Sequence, residues 1–510
     1  MQQNLSIFDH IIENKVKVGL FQLRHLAILV LIDSNDGAQL VLMSFIMPIL
    51  QHEWNLSNFQ ISILTSIFYL GTSIGSCYTG KIADVKGRRY AIKWSSLSLF
   101  ICSICFYVIQ DVYQMALIRL IYGMIYGISL PLTTSMFSEI IPMQYRGKGL
   151  VIINLFVSVG KIVGCLFAWI CLDNFSSGNW RLMMVLSSFP SLIVFWGSFY
   201  VLSESPRFLV ASKQIDEGIE VLNKMIVENN KSQGYAELVT SEEKQELINW
   251  QEKHFEHHRE NGPSPSMLFK DELKGVTIRM WICWFIENAM YFGQLVILPF
   301  ILGKSHKSFG QYIITVFGEI PSILVSLYVI DIKGLGRKNS LTIWFSLSAV
   351  MHFATYYGSK DYLSTYASIA RFFMKLAYAM LYPLSTELYP TLLRTYGFGY
   401  CSGIGRLGAT LIPYLIFGIM EWDLYSSFFI FFVISIIAAI SSGTLPYDTL
   451  GRNLDKDSEM ENEQQNQKLK KKDSRKQSYE ILDVELIDRK SIKQNQNGHK
   501  DNSNRQPIGY

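Results

Sequence analysis

Along most of this chain, apolar residues run in blocks of about twenty separated by short polar links. A helix that crosses a bilayer needs about 20 such residues. Twelve blocks reach that length: residues 25–50, 58–79, 90–109, 112–137, 149–172 and 181–202, then 277–303, 309–331, 339–358, 362–386, 396–419 and 424–445. The first is long enough to tilt or to project beyond the bilayer. Two stretches break the rhythm. Residues 203–276 are polar with helical charge spacing (KQIDEGIEVLNKM, SEEKQELINWQEKH). Residues 447–510 are rich in Asn, Gln, Lys, Asp and Ser and lack the apolar content for a core. The pattern predicts an all-α membrane protein with an N-terminal segment (1–24), a six-helix half (25–202), a linker with short helices (203–276), a second six-helix half (277–446) and a disordered tail (447–510).

Composition sharpens this picture. The chain is 49% hydrophobic and 17% charged, where a soluble chain carries about 25% charged residues. Net charge is +4, too small to point to a nucleic-acid partner. The seven cysteines (Cys77, Cys102, Cys105, Cys165, Cys171, Cys283, Cys401) are scattered through apolar blocks. They form no disulfide framework or CxxC metal site and read as small buried residues. MQQNLSIFDHIIENKVKVG is polar and mixed in charge, so no cleavable signal is visible. Bases concentrate in the links after even-numbered blocks (KIADVKGRRYAIK, QYRGKG, KGLGRK, TLLRTYG) rather than in those after odd-numbered blocks (QHEWNLS, QDVYQ, LDNFSSGNWR, GKSHKS, YGSKDYLS, EWD). The positive-inside rule therefore puts the even links, the linker and both termini in the cytoplasm.

Features recur at a period near 250 residues. Glu139 stands seven residues before Arg146, and Glu387 seven before Arg394, an offset of 248. Arg88 recurs as Arg337 at an offset of 249, and intramembrane Arg119 as Arg371 at 252. Two pseudo-symmetric six-helix halves with a site between them at midplane is the geometry of alternating access.

GKIADVKGRR resembles the charged turn of the major facilitator superfamily through Gly80, Asp84, Gly87, Arg88 and Arg89. SESPRFL, with Glu204 and Arg207, resembles the segment that follows span six in sugar porters and organic-ion transporters, and Arg119 with Gly123 resembles the superfamily's intramembrane arginine of span four. LIDSNDGAQLVLMSFIMPIL, FGEIPS and TELYPTLLRTYGFGYCSGIGRLGATLIPY resemble the synaptic vesicle two-related and organic-ion transporter branch, near the sugar porters. The resemblance implies twelve transmembrane helices in the major facilitator fold. Two departures count: the link after span one is short, unlike that of animal organic cation transporters, and span seven (WFIENAMYFGQLV) lacks the Gln-rich signature of sugar porters. A charged organic solute is therefore favoured over a plain sugar. The resemblance also implies that the turn at Asp84 and Arg88 sits between the halves as a latch, made when the transporter is open outward and broken when it is open inward. A topogenic loop with a local salt bridge is the alternative. Gly80 and Gly87 would allow close backbone approach. Glu139, Arg146, Glu204, Arg207, Gly336, Arg337, Glu387 and Arg394 complete the latch and gate residues. DIKGLGRK sets Asp331 five residues before Gly336 rather than three, so it does not match Asp84.

Charges inside spans are functional candidates because each costs about 2.5–3.5 kcal/mol at midplane on insertion scales. Asp33 and Asp36 stand three apart on span one and share a face. Two carboxylates so close in a poorly solvated site resist simultaneous ionisation. One is expected to carry a proton and act in coupling, with Glu287 and Glu319 as alternative carriers; water beyond an extended span end is the plainer reading. Asn288 beside Glu287 is a candidate for solute contact or a helix–helix hydrogen bond. Glu319 precedes Pro321, where a kink would line a cavity. Lys161, between Gly160 and Gly164, is expected to pair with one of these acids or with an anionic solute. Arg371 and Lys375, four apart on span ten, are placed to clamp a carboxylate. Acids and bases balance, so cations, zwitterions and carboxylates all remain open.

Weaker signals were discounted. His254, His257 and His258 read as a solvated helix, GKS at 303–305 lacks the first glycine of a phosphate loop, and GFG at 397–399 fits helix packing. Asn55 and Asn174 head glycosylation sequons, and Ser478 follows a basic pair in the tail. No catalytic constellation, metal site or cofactor motif emerges, so the energy source is expected to be a gradient. The reading is a monomeric, proton-coupled secondary transporter of a small organic solute, in the plasma membrane or an intracellular vesicle membrane. A facilitative sugar or polyol uniporter, or a vesicle-membrane binding protein that does not transport, is the alternative.

Overall fold

The computed structural model describes residues 7–175, 177–231, 237–259, 265–269, 271–304, 309–329, 332, 336–389, 394–420, 423, 425–446 and 448. At residues 81, 84, 130, 144, 147, 148, 253–259, 265, 267, 271, 272, 304, 386 and 394–396 it describes backbone only. The candidate side chains of Asp84, Arg394, His254, His257 and His258, with Asp331 and the tail apart from Asp448, thus lie outside the described residues. The described residues all belong to one compact unit, residues 1–450.

The unit is helical. A short helix, α1 (Ile7–Ile11), precedes α2 (Leu20–Glu53), α3 (Asn58–Lys86), α4 (Arg88–Cys105), α5 (Val112–Ile140) and α6 (Met143–Cys171). The sixth block is split into α7 (Trp180–Ser187) and α8 (Phe189–Tyr200). The linker supplies α9 (Pro206–Ala211), α10 (Ile215–Asn230) and α11 (Ser241–Arg259). Then come α12 (Asp271–Lys304), α13 (Phe309–Phe317), α14 (Glu319–Val329), α15 (Arg337–Tyr357), α16 (Leu363–Glu387), α17 (Arg394–Ile419) and α18 (Ser426–Gly443). Local signals set the boundaries. Ser57 accepts from the Gln60 amide while the Gln60 side chain accepts from the Ser57 amide, a capping box that starts α3. Asn179 accepts from the Leu182 amide at 3.0 Å to start α7. A proline follows the break in both split blocks: Pro190 and Pro321 lack the amide that would bond back to residues 186 and 317, which weakens the helix at Ser188 and at Gly318, although helices continue through Pro48, Pro131, Pro299, Pro383 and Pro413.

Among the described residues, ten segments are long and apolar enough to cross a membrane. The ninth and tenth expected blocks form α15 and α16 but fall below that measure of apolarity. Many of their polar residues face protein: Ser340, Ser348, His352, Arg371, Lys375 and Ser385 are buried. One departure from the all-α expectation is a two-stranded ribbon, β1 (Leu172–Asn174) with β2 (Ser177–Gly178), in the link after α6.

The helix pairing repeats. In the first six blocks α2 packs on α6, α3 on α5, and α4 on α8. In the second six α12 packs on α17, α13 and α14 on α16, and α15 on α18. Between the groups α3 meets α17, and α6 meets α13 and α14, which are equivalent pairs under the repeat; α2 also meets α12. Small residues permit the closest of these contacts. A Cβ on Gly37 would come within 1.9 Å of the Val157 carbonyl oxygen, and one on Gly160 within 1.8 Å of that of Ser34.

Candidate functional site

Each half carries a charged knot at its basic turn. Gly87 has φ +94°, a left-handed conformation that favours glycine. A Cβ there would meet the Glu204 carboxylate at 2.3 Å. That carboxylate accepts from the amides of Arg88 (3.0 Å), Arg89 (3.1 Å) and Ser205 (3.0 Å), capping the positive end of α4. Burial pushes the Glu204 carboxyl above the usual carboxylate range, although these amides pull it the other way. Arg88 reaches Glu139 at 3.5 Å, and Arg89 donates to the carbonyls of Ser198 and Phe199. Arg146 reaches Asp9 at 3.2 Å, and Arg207 also pairs with Asp9. In the second half Gly336 has φ +70°, Asp448 accepts from the amides of Arg337 and Lys338 at 3.0 Å each, and Arg337 pairs with Glu387. Glu204 and Asp448 are thus equivalent caps, and Asp448 was not singled out in the sequence. Around Gly80 a Cβ would meet nothing within 4 Å, so close packing does not explain that glycine here.

At mid-span a buried ion cluster joins the two halves. The break at Gly318 makes Glu319 the first residue of α14, wholly buried. Its carboxylate accepts from Lys161 Nζ (2.6 Å) and Ser158 Oγ (3.0 Å) on α6, and from Arg371 Nη1 (3.0 Å) on α16 and Tyr291 OH (3.1 Å) on α12. The Lys161 ammonium also lies 4.4 Å from the centre of the Tyr291 ring. Lys375, one turn beyond Arg371, donates instead to Asn154 Oδ1 at 2.8 Å. Arg371 and Lys375 therefore do not share one carboxylate in this conformation: Arg371 holds Glu319, and Lys375 holds an amide of the other half.

A second group of charges has few partners. Asp33 and Asp36 are buried in α2. Asp33 bonds Thr133, but its Oδ2 and both oxygens of Asp36 have no hydrogen-bond partner among the described residues. Asp36 lies in the electrostatic neighbourhood of Tyr122 and Tyr126, and Asp33 in that of Tyr382 across the seam. Both oxygens of Glu287 also lack partners, and its nearest charge is Lys375. Asn288 bonds back to the Trp284 carbonyl at 3.0 Å and packs against Gly405, a helix-packing role. Arg406 of α17 lies beside Tyr378, Tyr382 and Tyr126. It sits in the quoted GIGRLGA run yet was missed; a lone arginine within an apolar block was the signal. Arg119 is buried elsewhere, with Nη1 3.1 Å from Met43 Sδ.

The seam is closed toward the odd links. Phe45 packs on Phe309 and Tyr312, Phe175 on Phe309, and Tyr69 on Phe292. Ser62 and Ser66 of α3 donate to the carbonyls of Pro413 and Thr410 on α17. Toward the even links, Gly80 of α3 and Gly399 and Gly403 of α17 have open space where a Cβ would stand.

Comparison with known proteins agrees with this architecture. The family model described as Sugar (and other) transporter matches residues 32–460. The synaptic vesicle 2-related protein of Xenopus laevis is 26% identical over 459 residues, covering 84% of this chain and 78% of its own. Organic cation/carnitine transporter 7 of Arabidopsis thaliana is 26% identical over 460 residues, covering 82% and 90%. The niacin transporter NiaP of Acinetobacter baylyi is 23% identical over 436 residues, covering 82% and 92%. Among solved structures, the xylose transporter XylE from E. coli in an inward open conformation superposes with a TM-score of 0.67 at 18% identity, covering 84% of this chain and 97% of its own. That likeness concerns the fold.

Proposed function

We propose, for a chain that belongs to the sugar (and other) transporter family, secondary active transport of a small organic ion by alternating access, coupled to protons. Membership makes the protein a multi-pass membrane transporter of the major facilitator fold, not an enzyme. The observation that carries the finer reading is the Asp33–Asp36 pair, buried beside the seam with three oxygens unpartnered. A buried carboxylate without a partner is costly, and a proton or a cationic group relieves that cost. The two occupants exclude one another, and such exclusion couples their movements. Tyr126 and Tyr382 lie near the pair, and aromatic rings attract a cationic group. The relatives named for organic cations and carnitine, and for niacin, make an organic ion a reasonable cargo.

In this reading the halves rock about the centre, and the Lys161–Glu319 contact between α6 and α14 must part when the odd-link side opens. Purified protein in proteoliposomes, offered labelled organic cations, zwitterions, carboxylates and sugars with and without an imposed pH gradient, tests it. Concentrative uptake of an organic ion that a protonophore collapses is expected. Sugar flux indifferent to pH would make the protein a facilitative uniporter. Absence of flux above protein-free vesicles for every class would favour a binding protein of the same fold.

A further inference from the structure

Arg119 poses a separate problem. It is 2% exposed about two turns into α5, and among the described residues no carboxylate pairs with it. Its Nε has no hydrogen-bond partner, and its one hydrogen bond goes to the thioether sulfur of Met43, a weak acceptor. A guanidinium does not shed its charge in a protein. A buried cation left without an anion is among the most costly features a fold can carry.

The guanidinium borders a small cavity between α2, α3, α5 and α12, also lined by Tyr69, Ser44, Thr65, Met43 and Val296. The cavity has room for about one water-sized occupant. The Tyr69 hydroxyl, close enough to Arg119 to feel its charge, makes no hydrogen bond to a described residue and so is free to donate. Ser44 and Thr65 carry hydroxyls that now donate to the carbonyls of Val41 and Ile61 and can rotate toward an anion. A guanidinium that has the Phe68 ring 5.8 Å away but no anion, a free hydroxyl and two more hydroxyls around space for one small particle form a site for a monatomic anion. We propose that this cavity binds chloride.

The site would also act on the seam. Val296 belongs to the second half and the other lining residues to the first. Tyr69 packs against Phe292 with centroids 4.6 Å apart and the rings tilted by 51°, and Ser44 bonds Tyr312 at 3.3 Å. Chloride held there neutralises Arg119 under the closed odd-link side and favours that closed state. The inference does not depend on what the transporter carries, because the anion would bind with no solute present.

The test is thermal unfolding of the purified protein, followed by tryptophan fluorescence, as chloride replaces gluconate at constant ionic strength. A saturable rise in the midpoint is expected with chloride and bromide. Tyr69→Phe should raise the half-saturating concentration roughly tenfold, the value of one hydrogen bond to an ion. Arg119→Gln should abolish the rise, and Arg119→Lys should keep part of it. Bromide should appear by anomalous scattering beside Arg119. A midpoint that ignores the replacement means the cavity holds water and overturns the proposal. So does a wild-type response in both Arg119→Gln and Tyr69→Phe. Stabilisation by formate or benzoate but not by chloride would assign Arg119 to a solute carboxylate instead, and would also overturn it. Should Arg119→Gln fail to fold, Tyr69→Phe and the bromide position still decide.

Discussion

Glu319→Gln keeps the shape of the side chain at the centre of the seam and removes its charge. In the native protein Glu319 receives two cations, Lys161 at 2.6 Å and Arg371 at 3.0 Å, with Lys375 one turn from Arg371. All three bases are at most 6% exposed. Removing one partner of a buried pair costs roughly 3–5 kcal/mol, because the other charge is left without compensation. Here one acid serves two bases, so we expect the upper part of that range. Lys161→Met removes a base and leaves Glu319 held by Arg371, Ser158 and Tyr291, so its cost should fall nearer 1–3 kcal/mol. The double variant should cost clearly less than the sum, because the acid is then missed by one cation fewer. Denaturant-induced unfolding in mild detergent, monitored by tryptophan fluorescence, gives the four corners of the cycle. Because the bond joins α6 to α14, Glu319→Gln should also admit a thiol reagent to Ser44→Cys at the odd-link side more readily. Single losses that add to within about 0.5 kcal/mol would show that the pair is not coupled. A Glu319→Gln variant no weaker than Lys161→Met would refute the charge argument.

Three further outcomes are expected. Asp33→Asn with Asp36→Asn should abolish solute accumulation against its gradient while leaving exchange measurable, and retained accumulation under an imposed pH gradient would remove the pair from coupling. Glu204→Ala and Asp448→Ala should each cost about 1 kcal/mol in unfolding experiments, the value of a lost N-cap, with membrane insertion unchanged. Epitope tags at residues 5, 240 and 500 should all be shielded from outside in intact cells, and access to any one of them would overturn the assigned orientation.

Much of the scaffold was legible because its causes are local. Blocks of about twenty apolar residues became helices, the breaks fell two or three residues before Pro190 and Pro321, and α10 and α11 formed where the charge spacing was helical. Pairings were less legible. The sequence put Lys161, Glu319, Arg371 and Lys375 in the membrane, but nothing local states that Glu319 would take Lys161 and Arg371 while Lys375 turned to Asn154. Those choices depend on how α6, α14 and α16 pack. Arg406 and Asp448 were passed over for different reasons: one stood alone in an apolar block, and the other followed the last span without a flanking acid or base that matched SESPR.

The two halves share their supports and differ in their chemistry. Gly87 and Gly336 both turn through positive φ, Glu204 and Asp448 both cap the next helix, and Arg88 and Arg337 both reach an acid 50 or 51 residues on. These parts repeat because each half must hold its own turn rigid while moving against the other. The intramembrane charges do not repeat. Arg119 and Arg371 occupy equivalent places, yet Arg371 grips Glu319 while Arg119 meets a methionine sulfur, the Phe68 ring and a small cavity. Asp33 and Asp36 have no paired counterpart in the apolar part of α12 (277–303), where Glu287, beside Asn288, stands as a single acid. A rocking motion needs only the symmetric parts. Selecting and driving a solute needs charges that meet different partners in different states, so the departures from the repeat, Arg119 and the Asp33–Asp36 pair above all, are where substitution should change what is carried while the fold survives.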